Sequence, residues 1–230
     1  LSNYNLIIGS IGMIIAQLTG AITASIGNVA STESTEKQVE VFNVILFSTF
    51  ILFGFSSACL YLLINPFISL WIGEEYILSK WTIIVLLLNY YINGMQNVVW
   101  TYRGTMGLFV YGKFRPVASA IVNIIASIIL AKYIGAVGVL LGSTITRVTT
   151  NIWYDPIIIF KHGFKKSVKP YYVQYTKYFI SLIFIIGITE RVLSFVPYTN
   201  DLISFFFRCV ICAFTLLILF IALFYKKHEF

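Results

Sequence analysis

Seven apolar segments, each about the length of a bilayer crossing, follow one another along nearly the whole chain with only short loops between them. A helix that crosses a membrane needs roughly 20 predominantly apolar residues. The segments are A, Leu6 to Asn28; B, Val41 to Leu63; C, Trp81 to Thr101; D, Val117 to Ile134; E, Val137 to Phe160; F, Tyr178 to Val196; and G, Leu202 to Tyr225. They are too long for strands and lack the polar–apolar alternation of a membrane β-barrel. Charged residues make up only 11% of the chain and hydrophobic residues 59%, whereas a soluble domain carries roughly a quarter charged residues. The sequence therefore predicts an all-α membrane protein, a polytopic bundle of about seven transmembrane helices. D is short and is joined to E only through Ile134, Gly135 and Ala136.

The net charge of +7 finds its explanation in the loops. Positive residues accumulate on the cytoplasmic side of short loops. With the C-terminus inside, eleven of the sixteen basic residues fall on the cytoplasmic side. They are Lys37, then Arg103, Lys113 and Arg115 between C and D, then Lys161, Lys165, Lys166, Lys169 and Lys177 between E and F, and Lys226 and Lys227 in the tail. Lys80, Lys132 and Arg191 are left for the opposite side, while Arg147 and Arg208 lie within spans. This asymmetry, together with attraction to anionic membrane lipids, accounts for the basicity without nucleic acid. The first residue is Leu1 and segment A lacks a charged leader and cleavage site, so the chain reads as part of something longer. Seven further spans upstream would give fourteen in two halves, a layout common among transporters.

Polar side chains inside spans are expensive and face a bundle interior or a wet cavity. Segment C carries Asn89, Asn93, Gln96, Asn97 and Trp100, and segment E carries Ser143, Arg147, Thr150, Asn151 and Tyr154. Both sets recur at offsets of 4, 7, 8 and 11 residues, which is one helical face. Two uses of such stripes stand open: lining a cavity, or hydrogen-bonded glue between helices. Arg147 is the most telling residue, because it lies too deep in E to snorkel and costs about 2.5–3.5 kcal/mol there without a partner. It requires an ion pair on another span, water, or an anionic ligand, for which the planar guanidinium suits phosphate. Asp155, eight residues on, is badly placed for pairing within the helix. Arg208 near the outer end of G can snorkel, and Glu190 and Arg191 read as solvated boundary residues. Gly135, Gly138 and Gly142 predict a tight D–E hairpin, and Asp155-Pro156 predicts a kink in E.

Other chemistry is missing from the sequence. His162 and His228 have no neighbouring ligand cluster, and there is no P-loop, no G-x-G-x-x-G and no H-E-x-x-H. Cys59, Cys209 and Cys212 read as buried inert thiols, since no second pair completes a zinc site. Glu74-Glu75 reads as a solvated turn. No cofactor and no enzymatic activity are expected.

One family resemblance rests on a succession of short elements. These are Asn3-Tyr4 before A, Ala24-Ser25-Ile26-Gly27-Asn28 at its close, Leu70-Trp71-Ile72-Gly73 after B, Asn123 with Ser127 in D, and Gly135-Ala136-Val137-Gly138 running into Gly142-Ser143-Thr144. Their order and spacing over residues 1 to 160 resemble the C-terminal half of Wzx-type lipid-linked oligosaccharide flippases. That is the polysaccharide transporter family of the multidrug/oligosaccharidyl-lipid/polysaccharide exporter superfamily. F and G match only in being hydrophobic. On this division residues 1–160 form a lobe of spans A–E, 161–177 a basic cytoplasmic loop, and 178–230 two further spans and a short tail.

The resemblance implies one lobe of a 12–14-helix transporter of the cell membrane, alternating between inward-open and outward-open states. Its partner would be the missing N-terminal lobe. Its cargo would be an undecaprenyl-pyrophosphate-linked oligosaccharide for capsule, O-antigen or related glycan assembly, with a proton or sodium ion as the conceivable coupling ion. Arg147 would receive the pyrophosphate. Asn89, Asn93, Gln96, Asn97, Ser143, Asn151 and Tyr154 would line the sugar path, since an amide both donates and accepts hydrogen bonds. A related multidrug-type antiporter would instead need carboxylates inside spans, where only Asp155 qualifies. A membrane-embedded glycan polymerase or acyltransferase would need acid–base residues beside long outer loops, and the outer loops are short. A truncated, inactive product is the remaining possibility.

Overall fold

The computed structural model describes residues 1–197, 199 and 201–225, with side chains described throughout except at 21–25 and 27–32. The tail residues Lys226, Lys227 and His228 lie outside the described residues. Every regular element among the described residues is helical: α1 (Ser2–Thr32), α2 (Thr35–Ile72), α3 (Lys80–Thr105), α4 (Arg115–Ile134), α5 (Ala136–Thr146), α6 (Ile152–Ile158), α7 (Lys169–Ser194) and α8 (Leu202–Phe224). A π-helical turn, Arg147–Asn151, joins α5 to α6, and a second, Ile159–Gly163, follows α6. A single 3-10 turn, Glu74–Tyr76, separates α2 from α3.

Local sequence explains the boundaries. Ser34, Ser79 and Asp201 accept hydrogen bonds from the N–H three residues on, at 3.4, 3.3 and 2.8 Å, the usual way of satisfying a first-turn donor. Pro116 and Pro170 sit in the first turns of α4 and α7, where no intrahelical donor is lost. Gly135 takes φ 59° at the α4–α5 junction, a value that suits a residue without Cβ. α2 runs to Ile72, nine residues past the predicted end of segment B, and contains Pro66. A membrane helix tolerates the missing N–H when neighbours re-satisfy the freed groups, and here the end of α2 is tied from outside. The Tyr4 hydroxyl donates to Asn65 Oδ1 at 2.5 Å and accepts the Leu78 N–H at 3.0 Å.

α2 is the hub, packed by α1, α3, α7 and α8. Its Phe47 and Phe50 meet Tyr178 of α7 and Phe220 and Phe224 of α8 in an aromatic core, with Phe50 stacked on Tyr178 at 4.3 Å between ring centres. A second cluster joins Tyr4 and Ile8 to Ile64, Ile68, Ile83 and Leu86. α4 buries no residue at all and is held chiefly by α5. A Cβ on Gly138 would meet the Leu130 backbone and one on Gly142 would meet Ser127, so the predicted D–E hairpin is indeed close-packed, by glycine against backbone.

The outer faces of α4 and α8 present Ile121, Ile124, Ile128, Phe206, Phe207 and Phe214 to the surroundings. Faces of that extent belong in hydrocarbon rather than water. Among the described residues, α2, α3, α4 and α8 are long and apolar enough to cross a membrane. Of the seven expected spans, segment E is interrupted by the π-turn, and α1 and α7 are not among the four. The two ends of the bundle differ in charge. Lys166 pairs with Glu36 at 3.5 Å and His162 stacks on Tyr111 at 3.9 Å, which gathers the basic loops at one end. Lys80 pairs with Glu190 at 2.8 Å at the other, so Glu190 is ion-paired as well as exposed.

Candidate functional site

A cavity of about 590 Å³ lies between α1, α3 and α5. Asn89, Asn93, Asn97 and Trp100 reach it from α3, Ser143 from α5 and Arg147 from the start of the π-turn, and Gly9 and Gly12 leave room for it on α1. Five of the eight residues predicted to meet the cargo therefore share one wall: Asn89, Asn93, Asn97, Ser143 and Arg147.

The wall is fastened by the same groups that face the void. Asn89 Nδ2 donates to Leu140 O at 3.1 Å and to Thr144 Oγ1 at 2.9 Å, crossing from α3 to α5. Arg147 Nη1 donates to Asn93 Oδ1 at 2.6 Å. Asn123 Nδ2 donates to Ser143 Oγ at 3.3 Å from α4. Cavity lining and helix glue, posed as alternatives by the sequence, are here one arrangement. Arg147 is half-buried and makes no ion pair among the described residues. Among the described residues no Asp or Glu stands on the cavity wall. The site thus offers one guanidinium without an ion pair beside four amides, Asn5, Asn89, Asn93 and Asn97, a composition that attracts an anion attached to a hydroxyl-rich group.

The other three predicted residues stand elsewhere. Asn151 accepts from Thr150 Oγ1 at 2.9 Å and lies beside Ser119 of α4. Tyr154 faces a different cavity, near the start of α4. The reason is the π-turn. One additional residue in a helical turn shifts all that follows by about 100°, so offsets counted from Ser143 hold to Arg147 and fail beyond it. Gln96 sits at the flank of the α3 stripe, fully buried, and neither amide atom has a hydrogen-bond partner among the described residues.

The largest departure from expectation is at Asp155, which is fully buried. Its Oδ1 accepts from Arg103 Nη1 at 2.6 Å, and its Oδ2 accepts from Trp100 Nε1 at 3.0 Å and from Arg115 Nη1. Arg103 and Arg115, expected as loop charges that set orientation, are the largely buried counterions of this carboxylate, with side chains 11% and 19% exposed. Arg103 Nη2 also donates to Tyr111 O at 2.5 Å, which pins the α3–α4 loop. Gly112 makes that loop possible: φ is 81° and a Cβ would run into Tyr154. A carboxylate in so apolar a segment requires a partner, and that was the available signal. The partners lie 52 and 40 residues away, beyond the reach of periodicity.

Comparison with protein-family models, with curated proteins and with solved structures yields no match to this chain.

Proposed function

We propose that the chain is one lobe of a flippase that carries an undecaprenyl-pyrophosphate-linked oligosaccharide across the cytoplasmic membrane for capsule, O-antigen or related polysaccharide synthesis. In this reading the lobe has seven spans, with the C-terminus in the cytoplasm and a second lobe completing the path. The observation that carries it is Arg147, held on Asn93 without a carboxylate, in a cavity whose other polar groups are mostly amides. Arg147 receives the pyrophosphate, and Asn89, Asn93 and Asn97 exchange hydrogen bonds with sugar hydroxyls as the cargo passes. The gathering of the basic loops at one end of the bundle supports an inward orientation for that end.

The antiporter reading loses ground on Asp155. A cationic drug needs an accessible carboxylate, whereas Asp155 is enclosed by Trp100, Arg103 and Arg115. The test is translocation of a fluorescent polyprenyl-pyrophosphate glycan in liposomes holding both lobes. A hydrogen bond to a charged group contributes about 1.5–3 kcal/mol, so Arg147→Ala slows translocation roughly tenfold to a hundredfold at equal protein amount. Arg147→Lys, which keeps the charge but loses the fork, falls between. Wild-type rates in Arg147→Ala, or no translocation by the wild type, overturn the proposal.

A further inference from the structure

A second cavity, of about 510 Å³, opens beside the N-terminal end of α4. Its walls include Lys113, Phe114, Arg115, Thr150, Trp153 and Tyr154, none of which serves the translocation reading. Among the described residues two cations stand on those walls and no carboxylate does. Arg115 bonds Asp155, but that one carboxylate is shared with Arg103, so the two guanidiniums are only half neutralised. The Nε of Arg115 is buried with no hydrogen-bond partner among the described residues. Lys113 is exposed, makes no ion pair among the described residues, and rests its Nζ 5.0 Å above the Phe114 ring. An excess of positive charge in a walled cavity selects an anion and repels a cation.

The remainder of the cavity is apolar. Phe114 is 73% and Trp153 53% exposed, so the aromatic walls open sideways, towards the surroundings of the bundle. α4 is one of the helices able to cross a membrane, and the cavity lies at its loop end, where headgroups meet hydrocarbon. The matching ligand has a phosphate joined to an apolar body. We propose that this cavity binds an anionic phospholipid of the bilayer, with its phosphate on Arg115 and Lys113 and its first acyl segment along Trp153 and Phe114. Basic pockets between membrane helices recognise headgroups of this kind. The proposal does not depend on Arg147, which lines the other cavity.

The test uses the purified chain in neutral detergent, titrated separately with phosphatidylglycerol, phosphatidylcholine, farnesyl pyrophosphate and inorganic phosphate. Phosphatidylglycerol binds saturably and at least about tenfold more tightly than the other three, a margin of roughly two basic contacts. Lys113→Gln, an exposed substitution, weakens it about fivefold. Ala118→Trp fills the cavity without changing charge and abolishes binding, while Lys177→Gln on α7 and Arg147→Ala leave it unchanged. Equal binding of phosphatidylcholine overturns the proposal, as does indifference to both Lys113→Gln and Ala118→Trp. Tighter binding of inorganic phosphate would make the site one for free anions, and tighter binding of farnesyl pyrophosphate would assign it to cargo. Either result rejects a bilayer phospholipid.

Discussion

Replacing Asp155 by asparagine keeps the shape of the side chain and removes its charge. In the wild type the carboxylate is fully buried and accepts from Arg103 at 2.6 Å, from Trp100 at 3.0 Å and from Arg115. Removing one member of a buried ion pair costs about 3–5 kcal/mol, because the other charge stays behind. Two features move the value in opposite directions. Arg103 keeps its bond to Tyr111 O and the asparagine keeps one acceptor oxygen, which lowers the cost. Two guanidiniums are left facing each other without an anion, which raises it. A cost of about 4 kcal/mol is expected. In a chain of this size each kcal/mol moves the midpoint by roughly 2–4 °C, so thermal unfolding in detergent should shift down by about 8–16 °C. Asp155→Asn/Arg115→Gln should recover part of the loss, since the double variant no longer strands the second cation. A midpoint within about 2 °C of wild type for Asp155→Asn, with no coupling to Arg115, would refute the reading of Asp155 as the counterion that holds α3, α4 and α6 together.

Two further outcomes follow from the fold. Gly142→Val places a branched side chain against Ser127 at the α4–α5 contact; overpacking of this kind costs about 1–3 kcal/mol, and disulfide trapping between cysteines placed at Ser119 and Thr150, whose hydroxyls lie 2.9 Å apart, should slow relative to the same cysteine pair with Gly142 intact. At the start of α8, the Ser204 N–H and the Thr199 hydroxyl hold the Asp201 carboxyl below its ordinary range. A depressed folded-state value contributes stability above the unfolded value, about 3.9, and loses it as pH falls through the folded one. Amide exchange at Ser204 should therefore quicken, beyond its intrinsic pH dependence, on acidification through that window, and Asp201→Ala should remove this extra change.

Much of the architecture is readable in the chain because hydrocarbon punishes exceptions. The apolar runs mark the helices, and the glycines at 138 and 142 mark the D–E contact, since only a residue without Cβ lets two backbones approach so closely. The amide stripe of α3 holds at Asn89, Asn93 and Asn97, where the helix is regular. It fails on the other rod after Arg147, because local propensity carries no mark of a π-turn. The ion cluster was equally illegible. Arg103 and Arg115 look like loop charges until the α3–α4 connection folds back on Gly112 and brings both to Asp155. Electrostatic partners set by tertiary closure leave no period to count.

The additional residue between Arg147 and Asn151 works as a phase shifter along a single rod. Above it, the helix aims its guanidinium at the amides of α3; below it, the same helix aims a carboxylate at a different pair of neighbours. Excising one residue there would restore uniform winding and swing Asp155 by about 100°. Arg103 and Arg115 would then lose their common anion while Arg147 kept its place.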